Sequence, residues 1–174
     1  ESHPMATALR ALQRRIAPIK DVDGVHPMNL GRVVQRDRTL APCTAQAAVA
    51  MVEEAGIELE GAEVVMVGHS EIVGKPTALL LLEPLATVTV CHIGTKDTAA
   101  HTREADIVIV AAGTVRRPGM KREDLFGENR ELVEGLADRM TGSDAKVIMV
   151  TEPVDLLTTV FARRSGMPRE RVLG

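Results

Sequence analysis

From residue 63 onward, short runs of consecutive apolar residues alternate with longer stretches of helical pattern. Continuous apolar runs of this kind are typical of strands that are buried on both faces of a parallel sheet. The pattern predicts strands over 63–67, 87–91, 106–111 and 146–151, and a further strand at 171–173. It predicts helices over 74–83, 97–104, 122–140 and 154–165. The alternation therefore predicts an α/β fold: a Rossmann-like, doubly wound, mostly parallel sheet in three layers.

The first 44 residues lack this alternation, and we interpret them as an N-terminal arm or loop segment of a single domain spanning 1–174. A helix over 7–16 is predicted to end before Pro18, and Thr44 is placed to cap a helix over 45–55. Between them, residues 21–32 contain too many turn-forming residues for regular structure. Such a segment is either a plain linker or a loop that crosses the mouth of a site.

Composition narrows the classes of function. The net charge of −3 and the small number of aromatic residues, Phe126 and Phe161, argue against nucleic-acid binding. Cys43 and Cys91 form neither a disulfide framework nor a zinc-ligand spacing, so we expect no metal and a reducing, cytoplasmic setting. No apolar run is long enough to span a membrane. The absence of tyrosine excludes the Tyr-x-x-x-Lys chemistry of short-chain dehydrogenases.

The segment VGHSEIVGKP (67–76) joins a predicted strand to a predicted helix through a turn that contains glycine. Backbone N–H groups at the start of a helix attract anions, and glycine lets a pyrophosphate approach closely. The segment departs from the dinucleotide fingerprint G-x-G-x-x-G at two of its three glycines. His92 also stands where a ribose-binding carboxylate is expected. A tight turn without a ligand is an equal alternative on this pattern alone.

Four motifs together resemble the bifunctional methylenetetrahydrofolate dehydrogenase/cyclohydrolase family over residues 15–112. They are DVDGVHPMNLGR (21–32), APCT (41–44), VGHSEIVGKP (67–76) and ATVTVCHIGTKD (86–97). The resemblance implies that Asp23 contacts the pterin ring of a folate substrate. It implies NADP or NAD as cofactor, held by Gly68, His69, Ser70, Ile72, Gly74, His92 and Thr95. Because His69 and Ile93 replace an arginine and a serine of the NADP-dependent members, we expect only a weak preference for NADP.

Residues 105–129, 147–160 and 165–174 instead look like the malate/lactate dehydrogenase superfamily. That resemblance implies that Arg116 and Arg122 grip a dicarboxylate, and that Gly113 and Asn129 lie near the cofactor. A solvated basic loop is an equal alternative for the arginine at 116. The two resemblances together predict a chimera of two dinucleotide-binding halves, natural or engineered, with the change of family within 105–113.

Three hypotheses of function follow. The first is an NAD(P)-binding module of oxidoreductase ancestry that is weak or silent in catalysis. The second is an active methylenetetrahydrofolate dehydrogenase whose missing residues come from a partner or a second subunit, for instance in a homodimer. The third is a structural chimera without a ligand. We assign no catalytic residue, because the lysine and tyrosine of the folate family and the histidine of the malate family have no counterpart here.

Overall fold

The computed structural model describes residues 4–114 and 116–174, with 4–7 and 122 described by their backbone alone. Its centre is a five-stranded sheet in the order β2-β1-β3-β4-β5, in which every pair of neighbours is parallel. The strands are Glu63–Val67 (β1), Thr87–Cys91 (β2), Ile107–Val110 (β3), Lys146–Met149 (β4) and Val172–Leu173 (β5). The predicted α/β class and parallel sheet are confirmed, including the short strand at the end of the chain.

Both faces of the sheet are covered, which gives the three predicted layers. The helices are Pro4–Gln13 (α1), Pro27–Val34 (α2), Cys43–Glu54 (α3), Gly74–Leu82 (α4), Thr98–Arg103 (α5), Arg122–Arg139 (α6) and Val154–Ser165 (α7). Successive side chains of a strand point to opposite faces, so Val64 packs with α3 and α4, whereas Val65 packs with α6 and α7. This two-sided burial explains why the strands are apolar throughout.

The N-terminal segment contains more helix than the sequence predicted. Residues 27–34 form α2, so the prediction of irregular structure over 21–32 is wrong for the second half of that segment. Pro27 occupies the first turn, where its missing N–H costs no hydrogen bond, and Nδ1 of His26 accepts a hydrogen bond from Met28 N. The helix α3 begins at Cys43 with Pro42 at its N-cap, so Thr44 does not cap it.

The helix α1 is anchored to the turn that follows β1. Nη2 of Arg10 lies 2.6 Å from Oε1 of Glu71, and Nε of Arg10 donates to Oε2 of the same carboxylate at 3.1 Å. Both side chains are exposed, so the ion pair orients the helix and adds little stability. The N-terminal segment therefore lies against the turn at 68–73. Within the described part of the chain, no helix is long and apolar enough to cross a membrane.

Candidate dinucleotide-binding site

A cleft of about 530 Å³ opens at the carboxyl ends of β1 and β3. The chain runs from β1 outward to β2 and then crosses to β3 on the other side, so this is the point where the strand order reverses. Ligands of doubly wound sheets bind in the crevice at such a point. The cleft is lined by these predicted cofactor-binding residues: Gly68, His69, Ser70, His92, Gly113 and Asn129.

The turn after β1 is shaped by two glycines that no other residue could replace without a shift of the backbone. Gly68 has a φ of +120°, and a Cβ on it would lie 2.8 Å from the carbonyl carbon of Ala111. A Cβ on Gly74 would collide with the carbonyl oxygen of Gly68. Ser70 Oγ accepts from Val73 N at 3.1 Å and thereby caps the start of α4. The departure from G-x-G-x-x-G thus still yields a tight turn that leads into a helix N-terminus.

Two histidines stand together at the mouth of the cleft. The ring centroids of His69 and His92 are 5.0 Å apart at a tilt of 47°. Nδ1 of His92 accepts from Gly94 N, and Thr95 Oγ1 accepts from His92 N. Thr95 therefore shapes the loop after β2 and does not line the cleft. Cys91 lines the cleft below them, where burial raises the pKa of its thiol and keeps it protonated at neutral pH.

Asn129 lines the cleft, and together with the buried Thr151 it joins the loops that follow β3 and β4. Asn129 Oδ1 accepts from Thr114 N, and its Nδ2 donates to the carbonyl oxygen of Glu152, both at 2.7 Å. Thr151 Oγ1 donates to the carbonyl oxygen of Ala112 at 2.9 Å. Asn129 therefore lies in the cleft lining with its amide bonded to the backbone of the protein, and its assignment to the cofactor stays a prediction.

The motif at 21–26 forms a separate turn organised by a buried carboxylate. Asp21 is 2% exposed and accepts hydrogen bonds from Val25 N, His26 N and Asn29 Nδ2. Burial alone would raise the pKa of Asp21, but these hydrogen bonds together hold it below its ordinary value. The exposed Asp23 lies on this turn, 3.9 Å from Sγ of Cys43. The structure thus brings the motifs 21–32 and 41–44 together.

The remaining predicted residues lie outside the cleft lining. Ile72 faces a groove of about 320 Å³ between α1, α2 and the turn after β1, and Gly74 is buried beneath that turn. Arg116 is exposed to solvent, and the side chain of Arg122 lies outside the described residues. Their assignment to a dicarboxylate stays a prediction. In the described part of the chain, no group of His, Cys, Asp or Glu side chains could hold a metal ion.

One wall of the cleft was missed by the sequence analysis. The helix α6 contributes Glu128, Leu132, Leu136 and Arg139 to the lining. Their spacing of four, four and three residues places them on one face of a helix. This spacing was visible in the sequence, but nothing in the sequence showed that the face would border a cleft.

Comparisons with known proteins agree with this geometry. A family model described as "Tetrahydrofolate dehydrogenase/cyclohydrolase, NAD(P)-binding domain" matches residues 42–149. The "Bifunctional protein FolD 3" of Roseobacter denitrificans is 55% identical over 105 residues, which are 60% of this chain and 36% of that protein. "Bifunctional protein FolD 2" of Ruegeria pomeroyi is 42% identical over 160 residues, which are 92% of this chain and 54% of the relative. The chain thus spans about a third to a half of these relatives.

Among solved structures, the methylenetetrahydrofolate dehydrogenase-cyclohydrolase (FolD) of Trypanosoma brucei, complexed with NADP and an inhibitor, is 40% identical. The match has a TM-score of 0.58 and covers 61% of this chain and 37% of that one. The predicted cofactor, NADP or NAD, agrees with the description of the matched family model as an NAD(P)-binding domain.

The predicted chimera is not supported by these comparisons. The family model extends to residue 149, far beyond the expected change of family at 105–113, and the Ruegeria relative aligns with 92% of the chain. The malate dehydrogenase of Plasmodium falciparum is similar at 24% identity and a TM-score of 0.55, over 64% of this chain and 44% of that one, which shows a shared fold alone. The malate-like motifs reflect a common strand-helix architecture, because both groups place helices on the same kind of parallel sheet.

Proposed function

This chain belongs to the tetrahydrofolate dehydrogenase/cyclohydrolase family through its NAD(P)-binding domain, and we propose that it provides the dinucleotide-binding half of a methylenetetrahydrofolate dehydrogenase. The observation that carries the proposal is the cleft at the point where the strand order reverses, with the family's glycine-containing turn as its floor. When bound, the nicotinamide ring of NAD(P) supplies the hydride acceptor.

Different residues of the cleft are assigned to different parts of the dinucleotide. The turn at Gly68 and Ser70 holds the pyrophosphate at the start of α4, where helix N–H groups favour negative charge. His69 and His92 border the adenosine side, at the end of the edge strand β2. The loop at Gly113 lies on the nicotinamide side, at the end of β3.

The folate substrate and the catalytic groups involve more than this cleft. We assign Asp23 to the pterin ring, because it projects from an exposed turn whose shape the buried Asp21 fixes. The family's catalytic lysine and tyrosine have no counterpart in this chain, which contains no tyrosine. We propose that these groups come from outside residues 1–174, for instance from a partner or a second subunit, and that this chain binds and orients the dinucleotide.

The test is isothermal titration of NAD⁺ and NADP⁺ into the unchanged chain and into the variant Ser70→Asp. Aspartate still caps α4, since its carboxylate accepts from the same backbone N–H, but its charge repels the pyrophosphate. We expect saturable binding to the unchanged chain and at least about tenfold weaker binding to the variant.

The matched control is Ser143→Asp, because Ser143 Oγ also accepts a backbone N–H, from Ala145, outside the cleft. This control should bind as the unchanged chain does. Absence of binding at millimolar cofactor, or equal loss in both variants, contradicts the proposal. Absorbance at 340 nm with methylenetetrahydrofolate then measures hydride transfer.

A second copy of the chain is the partner that the sheet edges favour. Within the described part of the chain, β2 pairs only with β1, so its other edge is unpaired along this five-residue strand. The opposite edge strand, β5, has two residues, and short edge strands discourage pairing. Leu82, Leu85 and Val90 are exposed apolar residues on or beside β2. The homodimer therefore forms along this edge.

A further inference from the structure

Asn129 is deeply buried, and both ends of its amide are hydrogen-bonded. It is 1% exposed and lies on α6, away from both strands whose loops it contacts. Its partners fix the orientation of the amide, because Thr114 N can only donate and the carbonyl oxygen of Glu152 can only accept. An aspartate or a leucine of similar size could satisfy at most one of the two. The side chain thus joins two loops through its chemistry as well as its shape.

The two loops belong to neighbouring strands at the carboxyl edge of the sheet. Thr114 follows β3 and Glu152 follows β4, which pair in parallel. A Cβ on Gly113 would lie 3.0 Å from Oδ1 of Asn129 and 2.7 Å from Cγ2 of Thr151. Asn129 and Thr151 therefore pack directly against the backbone of the loop after β3.

Residues 112–114 of the first loop line the cleft, and Thr151 of the second loop is hydrogen-bonded to Ala112. In doubly wound sheets the dinucleotide lies across the strand ends, with its pyrophosphate at the first turn. With the adenosine on the β2 side, the nicotinamide lies over the ends of β3 and β4. Resting on the proposed function, we propose that Asn129 is the positioning residue for the nicotinamide half, acting through the loops at 112–114 and 151–152. It acts by holding the two loops, with Oδ1 on Thr114 N and Nδ2 on the carbonyl oxygen of Glu152.

The experiment compares the full dinucleotide with a fragment that lacks the nicotinamide half. NAD⁺ and ADP are titrated into the unchanged chain, Asn129→Ala and Thr151→Val. We expect each substitution to weaken NAD⁺ binding about three- to tenfold, the equivalent of one lost hydrogen bond, and to leave ADP binding unchanged. Thr151→Val keeps the shape of the side chain and removes only its hydroxyl, so it carries the test where circular dichroism shows that Asn129→Ala is unfolded. Glu131→Gln, on the exposed face of α6, is the control and should match the unchanged chain.

The possible results separate this inference from the proposed function. An equal loss of NAD⁺ and ADP affinity would show a purely structural role and overturn the inference. Unchanged binding of both ligands by both variants would overturn it as well. If the unchanged chain binds neither ligand, the proposed function fails and the inference falls with it. If the variants lose affinity for NAD⁺ but not for ADP, the result supports both the proposed function and the inference.

Discussion

Asp21 is the residue whose ionisation links the shape of the substrate turn to pH. Its pKa in the folded chain is below the ordinary aspartate value of about 3.9, so its ionised form stabilises the fold. That contribution is complete above the unfolded pKa and is lost as pH falls through the folded pKa. Asp21→Asn removes it and places the new amide NH2 either against Val25 N or against His26 N and Asn29 Nδ2, which are themselves donors. We expect a loss of about 1–3 kcal/mol in the free energy of unfolding at pH 7.

Urea unfolding followed by circular dichroism at pH 7 and pH 3 measures this effect. The difference between variant and unchanged chain should shrink at pH 3, because the unchanged chain then loses its own carboxylate contribution. A difference that is the same at both pH values would contradict the role of Asp21.

His69 is the residue that most directly tests cofactor choice. The resemblance to the NADP-dependent members of the family implies an arginine at the position where this chain has His69. A guanidinium is always charged and donates in a bidentate geometry that suits a phosphate, which an imidazole does not. We expect similar Kd values for NAD⁺ and NADP⁺ in the unchanged chain at pH 8, and a shift of about tenfold toward NADP⁺ in His69→Arg. His101→Arg, on α5 and outside the cleft lining, is the control that should show no shift. A strong NADP⁺ preference of the unchanged chain would refute the expectation.

At the scale of elements, strands were easier to predict than the N-terminal helices. A strand that is buried on both faces must be apolar throughout. It can therefore be recognised from its own sequence, without knowledge of its neighbours. The helix α2 (Pro27–Val34) contains Pro27, Asn29 and Gly31, and its composition favours turns. Its start depends on His26 as a cap, which a list of common capping residues omits. The candidate site was hard to predict for the same reason, because the role of Asn129 depends on loops that are far from it in the sequence.

At the scale of elements, we predict that the unpaired edge of β2 forms the interface of a dimer. Val90→Lys places a charge on the exposed edge, and charged edge residues oppose pairing between sheets. We expect light scattering to show a dimer for the unchanged chain and a monomer for the variant. Leu156→Lys alters an equally exposed apolar residue on α7 and should leave the dimer intact. A monomer for the unchanged chain would exclude this interface.

For the whole molecule, the structure argues against two separable halves. β1 and β4 both flank β3, so the sheet is continuous across residues 105–113. Val65 and Val147 share one core, and Ala45 and Ile148 share the other. Motifs that look like two superfamilies are therefore parts of one packed sheet, which short sequence motifs could not show because each reports only its own strand and turn.

This continuity leads us to propose that residues 1–174 unfold as a single cooperative unit. Hydrogen exchange of the amides of Val65 and Val147 should then report the same free energy of opening, because both amides exchange only on global unfolding. NAD(P) at a hundred times its Kd should raise both values by about 2.7 kcal/mol, since it binds the folded chain alone. The comparison needs no aromatic probe, which suits a chain without tryptophan or tyrosine. Faster exchange at Val147 than at Val65, or stabilisation confined to one of them, would instead place a boundary between two units near β3.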